Sequence, residues 1–419
     1  MRAKKKTVLK GFDYLHCDDF AKYLETMAEK GWHFKEWGAG LTFEKGEPEQ
    51  SVYAVEVFTK ASEEELRPEP HTKEFVEYCE AAGWKFIDAK QKFCIFKRVD
   101  NNAVALFTDE ERVENSCKGM LSASAIILWV LYGINALLQW MNILSFFESK
   151  IFSTSFLFNF SVWNLLFVAQ GCKLLYTFYT RRKLKKAIRQ GRKVYIGTCE
   201  DGKFHFGMND IYIILLVALL IGYLVMLDEM TLVYFNLGIA VVTIGLAFLL
   251  AKLRPDSTTN ILIQIGFCFI IFLTIIVIGL SISGDKEDIT LLKDELPLQV
   301  FDYRDFSDEI EDISIYYDEN IFGSSGNYFI FAENSVYYNI YRTEHEWILD
   351  KLWKDDMKPS YNVEAVDCTN DWEAKQAVRN DAGTYYVRYD DAILVLHENE
   401  DVYLTADQID IIREKLDLR

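Results

Sequence analysis

A histidine beside a carboxylate is the simplest place for acid–base or metal chemistry to begin, and the chain holds two such pairs, His345-Glu346 and His397-Glu398. Neither has a second histidine or a cysteine at ligand spacing, so surface positions are the simpler reading. The acidic runs Asp308, Glu309, Glu311, Asp312 and Glu398, Glu400, Asp401 would attract a divalent cation. They lack the glycine turn and the closing bidentate glutamate of a calcium loop, which favours a solvated acidic face. The eight cysteines, Cys17, Cys79, Cys94, Cys117, Cys172, Cys199, Cys268 and Cys368, include no C-x-x-C pair, so no zinc site or redox pair is readable. There is no phosphate-binding glycine loop, no H-E-x-x-H, no nucleophile elbow and no kinase-like set. Asp201, Asp210 and Asp256 are the carboxylates left for an interfacial reaction, and no acid, base and nucleophile set assembles around them. The residues name no catalytic group, no cofactor and no metal, and the expectation is a protein that is not an enzyme.

The elements that would position any chemistry are dominated by five apolar runs: Met120–Leu144, Ile151–Tyr179, Ile211–Leu227, Met230–Ala251 and Ile261–Ser281. Each is near the roughly 20 residues that cross about 30 Å of hydrocarbon as a helix, which predicts about five transmembrane helices within residues 120–284. The first run follows a complete soluble domain and is therefore not a cleavable signal. Orientation follows from the loops, because Lys and Arg accumulate on the cytoplasmic side. Arg181, Arg182, Lys183, Lys185, Lys186, Arg189, Arg192, Lys193 and Lys203 form the deciding loop. With Lys4 to Lys6 and with Lys252 and Arg254, they predict a cytoplasmic N-terminus and an extracytoplasmic C-terminus in a multi-pass protein of the cell membrane.

The same basic stretch has two readings: a topology signal alone, or an amphipathic helix lying on anionic lipid, with Leu184 and Ile188 set against the Lys/Arg row. The polar residues inside the apolar runs are uncharged amides, Asn135, Gln139, Asn159, Asn164, Asn236 and Gln264, with Lys173 close enough to one end to snorkel. Amides at that depth more often bond neighbouring helices than line a path for ions.

Charge separates the two flanking regions. Residues 1–119 hold 19 basic and 23 acidic residues, residues 120–284 hold 13 and 7, and residues 285–419 hold 13 and 33. Nearly all of the net charge of −18 therefore lies in the last region. This balance argues against direct nucleic-acid binding there, since that requires clustered cations facing phosphates. Residues 1–119 carry an internal echo, in which Phe20, Tyr23, Gly31, Trp32 and Phe34 recur as Phe75, Tyr78, Gly83, Trp84 and Phe86. Each copy reads as a helix, a left-handed glycine stop and a strand. Strands near residues 7–12, 39–44, 51–58, 84–88 and 92–98 would give an antiparallel sheet with both helices on one face, an α+β domain on a ferredoxin-like plan. The paired Gly-Trp-x-Phe would line a ligand cavity or, more simply, pack a helix-to-strand junction. Glu47-Pro48-Glu49 supplies a turn, and Arg67-Pro68-Glu69-Pro70 opens the second helix. Residues 285–419 read as an acidic α+β domain. Its strands lie near 312–317, 326–332, 336–342 and 363–367, with a hairpin at 385–389 and 392–397. Helices are expected near 344–355, 372–378 and 406–416, the last capped by Thr405 with Gln408.

The two Gly-Trp-x-Phe repeats, the apolar helices behind them, and the tail segments Tyr338-Asn339-Ile340-Tyr341, Trp347-Ile348-Leu349-Asp350-Lys351, Val387-Arg388-Tyr389-Asp390 and Leu404-Thr405 through Ile409, Ile412 and Leu416 resemble an uncharacterised bacterial membrane-protein family. That family is catalogued as a domain of unknown function. The resemblance implies genes that lie beside PadR-like transcriptional regulators, and it carries no catalytic residue over. The function expected is a membrane regulator or sensor, in which the acidic outer domain meets a signal and the cytoplasmic domain binds a regulatory partner. The competing expectation is a transporter, or its accessory subunit, for small amphiphiles.

Overall fold

A computed structural model of the protein describes residues 4–198, 215, 217, 218, 220, 221, 230–282, 296–303, 312–331, 336–356, 365–398 and 401–418. The chain divides into two compact units. The first comprises 1–134, 164–218 and 229–278, and the second 135–163, 219–228 and 279–419.

The first unit is built on a duplication. Strand β1 (Lys5–Val8), helix α1 (Cys17–Glu29), β2 (Trp32–Trp37) and β3 (Leu41–Lys45) form one copy; β4 (Tyr53–Val57), α2 (Pro70–Ala81), β5 (Trp84–Lys90) and β6 (Phe93–Arg98) form the other. Each copy makes its own three-stranded antiparallel sheet, in the orders β1-β3-β2 and β4-β6-β5. The expected single ferredoxin-like sheet is therefore corrected to two βαββ sheets. The physical reason lies in the pairing. Each copy closes on its own third strand, and both second strands break register at the same place, between Phe34 and Glu36 in β2 and between Phe86 and Asp88 in β5.

Both helices end as their glycines require. Gly31 and Gly83 follow the C-caps Lys30 and Ala82 with φ of 73° and 90°, the left-handed conformation that glycine adopts without a Cβ penalty. The apolar stripe of α1 (Phe20, Leu24, Met27) packs on Phe34 and Phe43 of one sheet and on Val55, Phe93 and Ile95 of the other. The alternate residues of β6, Cys94 and Phe96, join a smaller core with Phe75 of α2 and Phe86. Strand β6 is thus buried on both faces.

Helix α3 (Asp109–Met120) starts at Thr108, whose hydroxyl accepts from the Glu111 N–H in a complete capping box. It leads into α4 (Ala123–Ser145). A short helix, α5 (Phe147–Lys150), turns the chain into α6 (Thr154–Arg189), and α7 (Met230–Leu253) and α8 (Ser257–Ile282) follow. Among the described residues, two helical stretches are long and apolar enough to cross a membrane, Asp109–Ser145 and Thr154–Arg189. The apolar stretches Val241–Leu253 in α7 and Ser257–Ile271 in α8 are shorter, and 211–227 falls mostly outside the described residues. About five transmembrane helices is therefore corrected to two candidates. Among the described residues, the unbroken apolar stretches 241–253 and 257–271 fall short of the roughly 20 residues a crossing demands.

In the second unit, β7 (Asp312–Asn320), β8 (Gly323–Phe331), β9 (Val336–Arg342), β10 (Ala365–Asp367), β11 (Gln376–Asn380), β12 (Thr384–Arg388) and β13 (Ala392–His397) form one antiparallel sheet in the order β10-β11-β12-β13-β9-β8-β7. The expected α+β balance is corrected here too, because a large sheet dominates the domain. The helix expected at 372–378 is instead a turn followed by β11. Trp372 plugs the core from that turn, and Ala377 packs behind it. One sheet face (Ile330, Tyr338, Leu394, Leu396) packs on Ile409 and Ile412 of the last helix, which is α11 (Ala406–Lys415) after α9 (Val300–Tyr303) and α10 (Glu346–Lys351). The other face (Tyr341, Ile393, Val395) packs on Ile348 and Leu349 of α10 and on Phe147, Ile151 and Phe152 of the α4–α6 turn.

Candidate functional site

Two charged strand positions of the N-terminal domain break the apolar alternation around them, and each holds a guanidinium. Glu56 of β4 is buried, and Arg112 of α3 donates from Nε to Glu56 Oε1 at 2.9 Å and from Nη2 to Asp18 Oδ1 at 2.6 Å. Burial raises the Glu56 carboxyl, and the Arg112 guanidinium pulls it back. Asp18 and Asp19 stand in the first turn of α1, where the helix dipole favours negative charge. Their second oxygens collect the segment after α6. Ile196 N–H donates to Asp18 at 2.6 Å, Tyr195 O–H to Asp19 at 2.8 Å, and Thr198 N–H to Asp19 at 2.9 Å. Val194 and Ile196 are buried in the same core as Phe20.

Asp88 sits at the β5 bulge, buried, and accepts the Trp37 N–H at 2.7 Å across the two repeats. Its other partner arrives from the α7–α8 turn. Arg254, in left-handed backbone at φ 50°, donates from Nη1 to Asp88 at 2.9 Å and also to the carbonyls of Leu66 and Ala89. Burial raises the Asp88 carboxyl, and Arg254 opposes that rise. Around this clamp the acidic loop 62–69 meets the start of α8. Ser257 N–H donates to Glu69 at 2.6 Å, Asn260 Nδ2 to Glu64 at 3.0 Å, and Arg67 Nη2 to Asp256 at 3.3 Å. A guanidinium with three acceptors fixes orientation as well as position.

The residues singled out by sequence are distributed as follows. Phe34 lies in the larger core and Phe86 packs against the smaller one. Trp32 lies under the ammonium groups of Lys45 and Lys6, at 5.2 and 5.7 Å, and Trp84 Nε1 donates to the Val104 carbonyl at 2.7 Å. These rings pack the helix-to-strand junctions. The basic stretch divides into two faces. Arg181 and Lys185 pair with Glu114 at 2.7 and 2.9 Å, and Leu184, Ala187 and Ile188 pack on the N-terminal core. Arg182, Lys183, Lys186 and Arg189 are exposed.

His345 and His397 lie in different surroundings. His345 precedes α10, and His397 stacks on Tyr337 at 3.5 Å with Nδ1 2.8 Å from Thr384 Oγ1. Asp256 caps α8 through Thr259; Asp201, Asp210, Asp308, Glu309, Glu311 and Glu400 lie outside the described residues. Among the described residues no cluster of three His, Cys, Asp or Glu is placed to hold a metal. Sequence reasoning missed Asp88, Glu56, Arg112 and the clamp role of Arg254. Their signal was a carboxylate inside an otherwise apolar strand.

An α+β domain of two βαββ repeats, clasped onto the ends of apolar helices, is the class that this geometry defines. Residues 17–129 match the model of a family described as a protein of unknown function (DUF2812). The match runs from the first turn of α1 into α4, so it takes in both helices, β2 to β6 and the capped α3 that carries Arg112 and Glu114. No curated protein and no solved structure matches the chain.

Proposed function

We propose that this chain is a non-enzymatic membrane regulator whose N-terminal domain binds a cytoplasmic protein partner and whose C-terminal domain receives an extracytoplasmic signal. One observation carries the reading: α4 and α6 are built into folded protein at both ends. At one end Trp129 stacks on Phe167, and Arg181 and Ile188 join the N-terminal domain. At their connecting turn, Phe147, Ile151 and Phe152 enter the C-terminal core. Asn320 Nδ2 donates to the Ile151 carbonyl at 3.1 Å, and Thr154 Oγ1 to the Glu319 carbonyl at 2.9 Å. Helices locked in this way give a ligand at either end something to bias, which is the requirement for coupling. The row of cations at the end of α6 supports a cytoplasmic N-terminus, and with the acidic C-terminal domain seated on the α4–α6 turn an extracytoplasmic C-terminus requires the chain to cross once more between residues 190 and 295.

The partner class that fits the resemblance is a PadR-like regulator. The test uses the full chain in wall-stripped cells, tagged before Met1 or after Arg419. External protease is expected to remove only the C-terminal tag, and inside-out vesicles are expected to retain the regulator. Protection of both tags would overturn the extracytoplasmic receiver, and vesicles that fail to retain purified regulator would overturn the partner.

A further inference from the structure

Helix α6 continues past its apolar part without a break, and its last turns have two unlike faces. At about 100° per residue, Arg181, Leu184, Lys185, Ala187 and Ile188 fall on one half of the helix and Arg182, Lys183, Lys186 and Arg189 on the other. The first half is spent on the N-terminal domain, in the Glu114 ion pairs and the core contacts described above. The second half faces solvent. A topology signal alone does not require this division, since any cation in the loop would serve it.

Position along the helix identifies what the exposed half meets. About 20 residues from Thr154 use up the hydrocarbon thickness near residue 174. Tyr176 and Tyr179, 37% and 64% exposed, follow at the depth where tyrosines anchor in the interface. Arg182, Lys183 and Lys186 come roughly 12–18 Å beyond the hydrocarbon edge, at 1.5 Å per residue. Helical side chains lean toward the N-terminus of their helix, here back toward the bilayer, so these cations reach the headgroup layer to within about a Debye length.

We infer that Arg182, Lys183 and Lys186 form a binding surface for anionic phospholipid headgroups. The inference rests on the membrane reading above and adds the chemistry of the lipid. Bound headgroups would hold α6 at a fixed depth while its opposite face holds the N-terminal domain, so lipid charge would bear on the domain through one helix. Juxtamembrane cations of this kind attract anionic lipid additively.

The experiment takes the full chain in mixed micelles of phosphatidylcholine and phosphatidylglycerol at about 0.1 M salt and counts the lipids retained by native mass spectrometry. Wild type is expected to prefer phosphatidylglycerol. The variant Arg182→Gln, Lys183→Gln, Lys186→Gln is expected to lose that preference by roughly tenfold or more, with the melting of the N-terminal domain unchanged. Arg192→Gln with Lys193→Gln, farther from the bilayer, is expected to keep it. A triple variant that retains phosphatidylglycerol as wild type does, or an equal loss in the distal pair, overturns the proposal. A wild-type chain that stays soluble without detergent and holds neither lipid overturns the membrane reading itself.

Discussion

Two titratable side chains, one buried and one half-buried, give the two domains opposite responses to pH. Glu56 is raised by burial, so between the ordinary carboxylate range and its folded value the native state holds more protons than the unfolded one. Its contribution is full at low pH and is lost as pH rises through that window. Replacing it by Gln should flatten the fall in N-terminal melting temperature between about pH 4.5 and 7; a slope equal to wild type would locate the effect elsewhere. His397 is pushed down to about 4 by burial beneath Tyr337. The unfolded chain then binds the extra proton, and the C-terminal domain loses stability as pH falls from the ordinary histidine value toward 4. His397→Gln should remove that acid-side loss, seen in near-ultraviolet dichroism of the sheet's aromatic residues.

At the scale of the element, the duplicated helix stops differ in what surrounds them. A Cβ on Gly31 would meet the Gly46 backbone oxygen at 2.7 Å, whereas on Gly83 it would meet the Asp100 and Ala103 side chains at 3.0 and 3.1 Å. Left-handed backbone alone costs an L-residue roughly 1–2 kcal/mol. Gly83→Ala should show at least that loss in denaturant melts and Gly31→Ala clearly more, since its closest approach is shorter and falls on a backbone carbonyl oxygen. Equal losses would mean that only the conformation matters. The helix stops were legible in sequence because capping depends on a few adjacent residues. The sheets were not, because nothing local to Trp32-x-Phe34 says that the strand pairs with β3 and leaves β6 to the second copy.

For the whole molecule, the Arg254 clamp is the joint that most needs to hold. Removing the guanidinium leaves Asp88 buried without its charge partner, and breaking a buried pair from one side costs about 3–5 kcal/mol. Arg254→Ala should expose the loop at residues 62–69 to proteolysis and raise amide exchange there, with the C-terminal sheet protected as before. An unchanged cleavage pattern would show that the loop is held by the Glu64 and Glu69 contacts alone.

What the sequence determined by itself was local: the repeat, the opening of α2 at its proline, the capping of α11, and the apolar character of α4 and α6. Each depends on side chains within a few residues of one another, where spacing is enough. The tertiary structure decided which charges meet and, among the described residues, which helices are candidate spans. Asp88 and Arg254 are 166 residues apart, and Asp18 and Ile196 are 178 apart. No periodicity encodes such pairs. Their geometry exists only once the sheets, the helix ends and the loop at residues 62–69 have been brought together, and each carboxylate then depends on donors far from it in sequence.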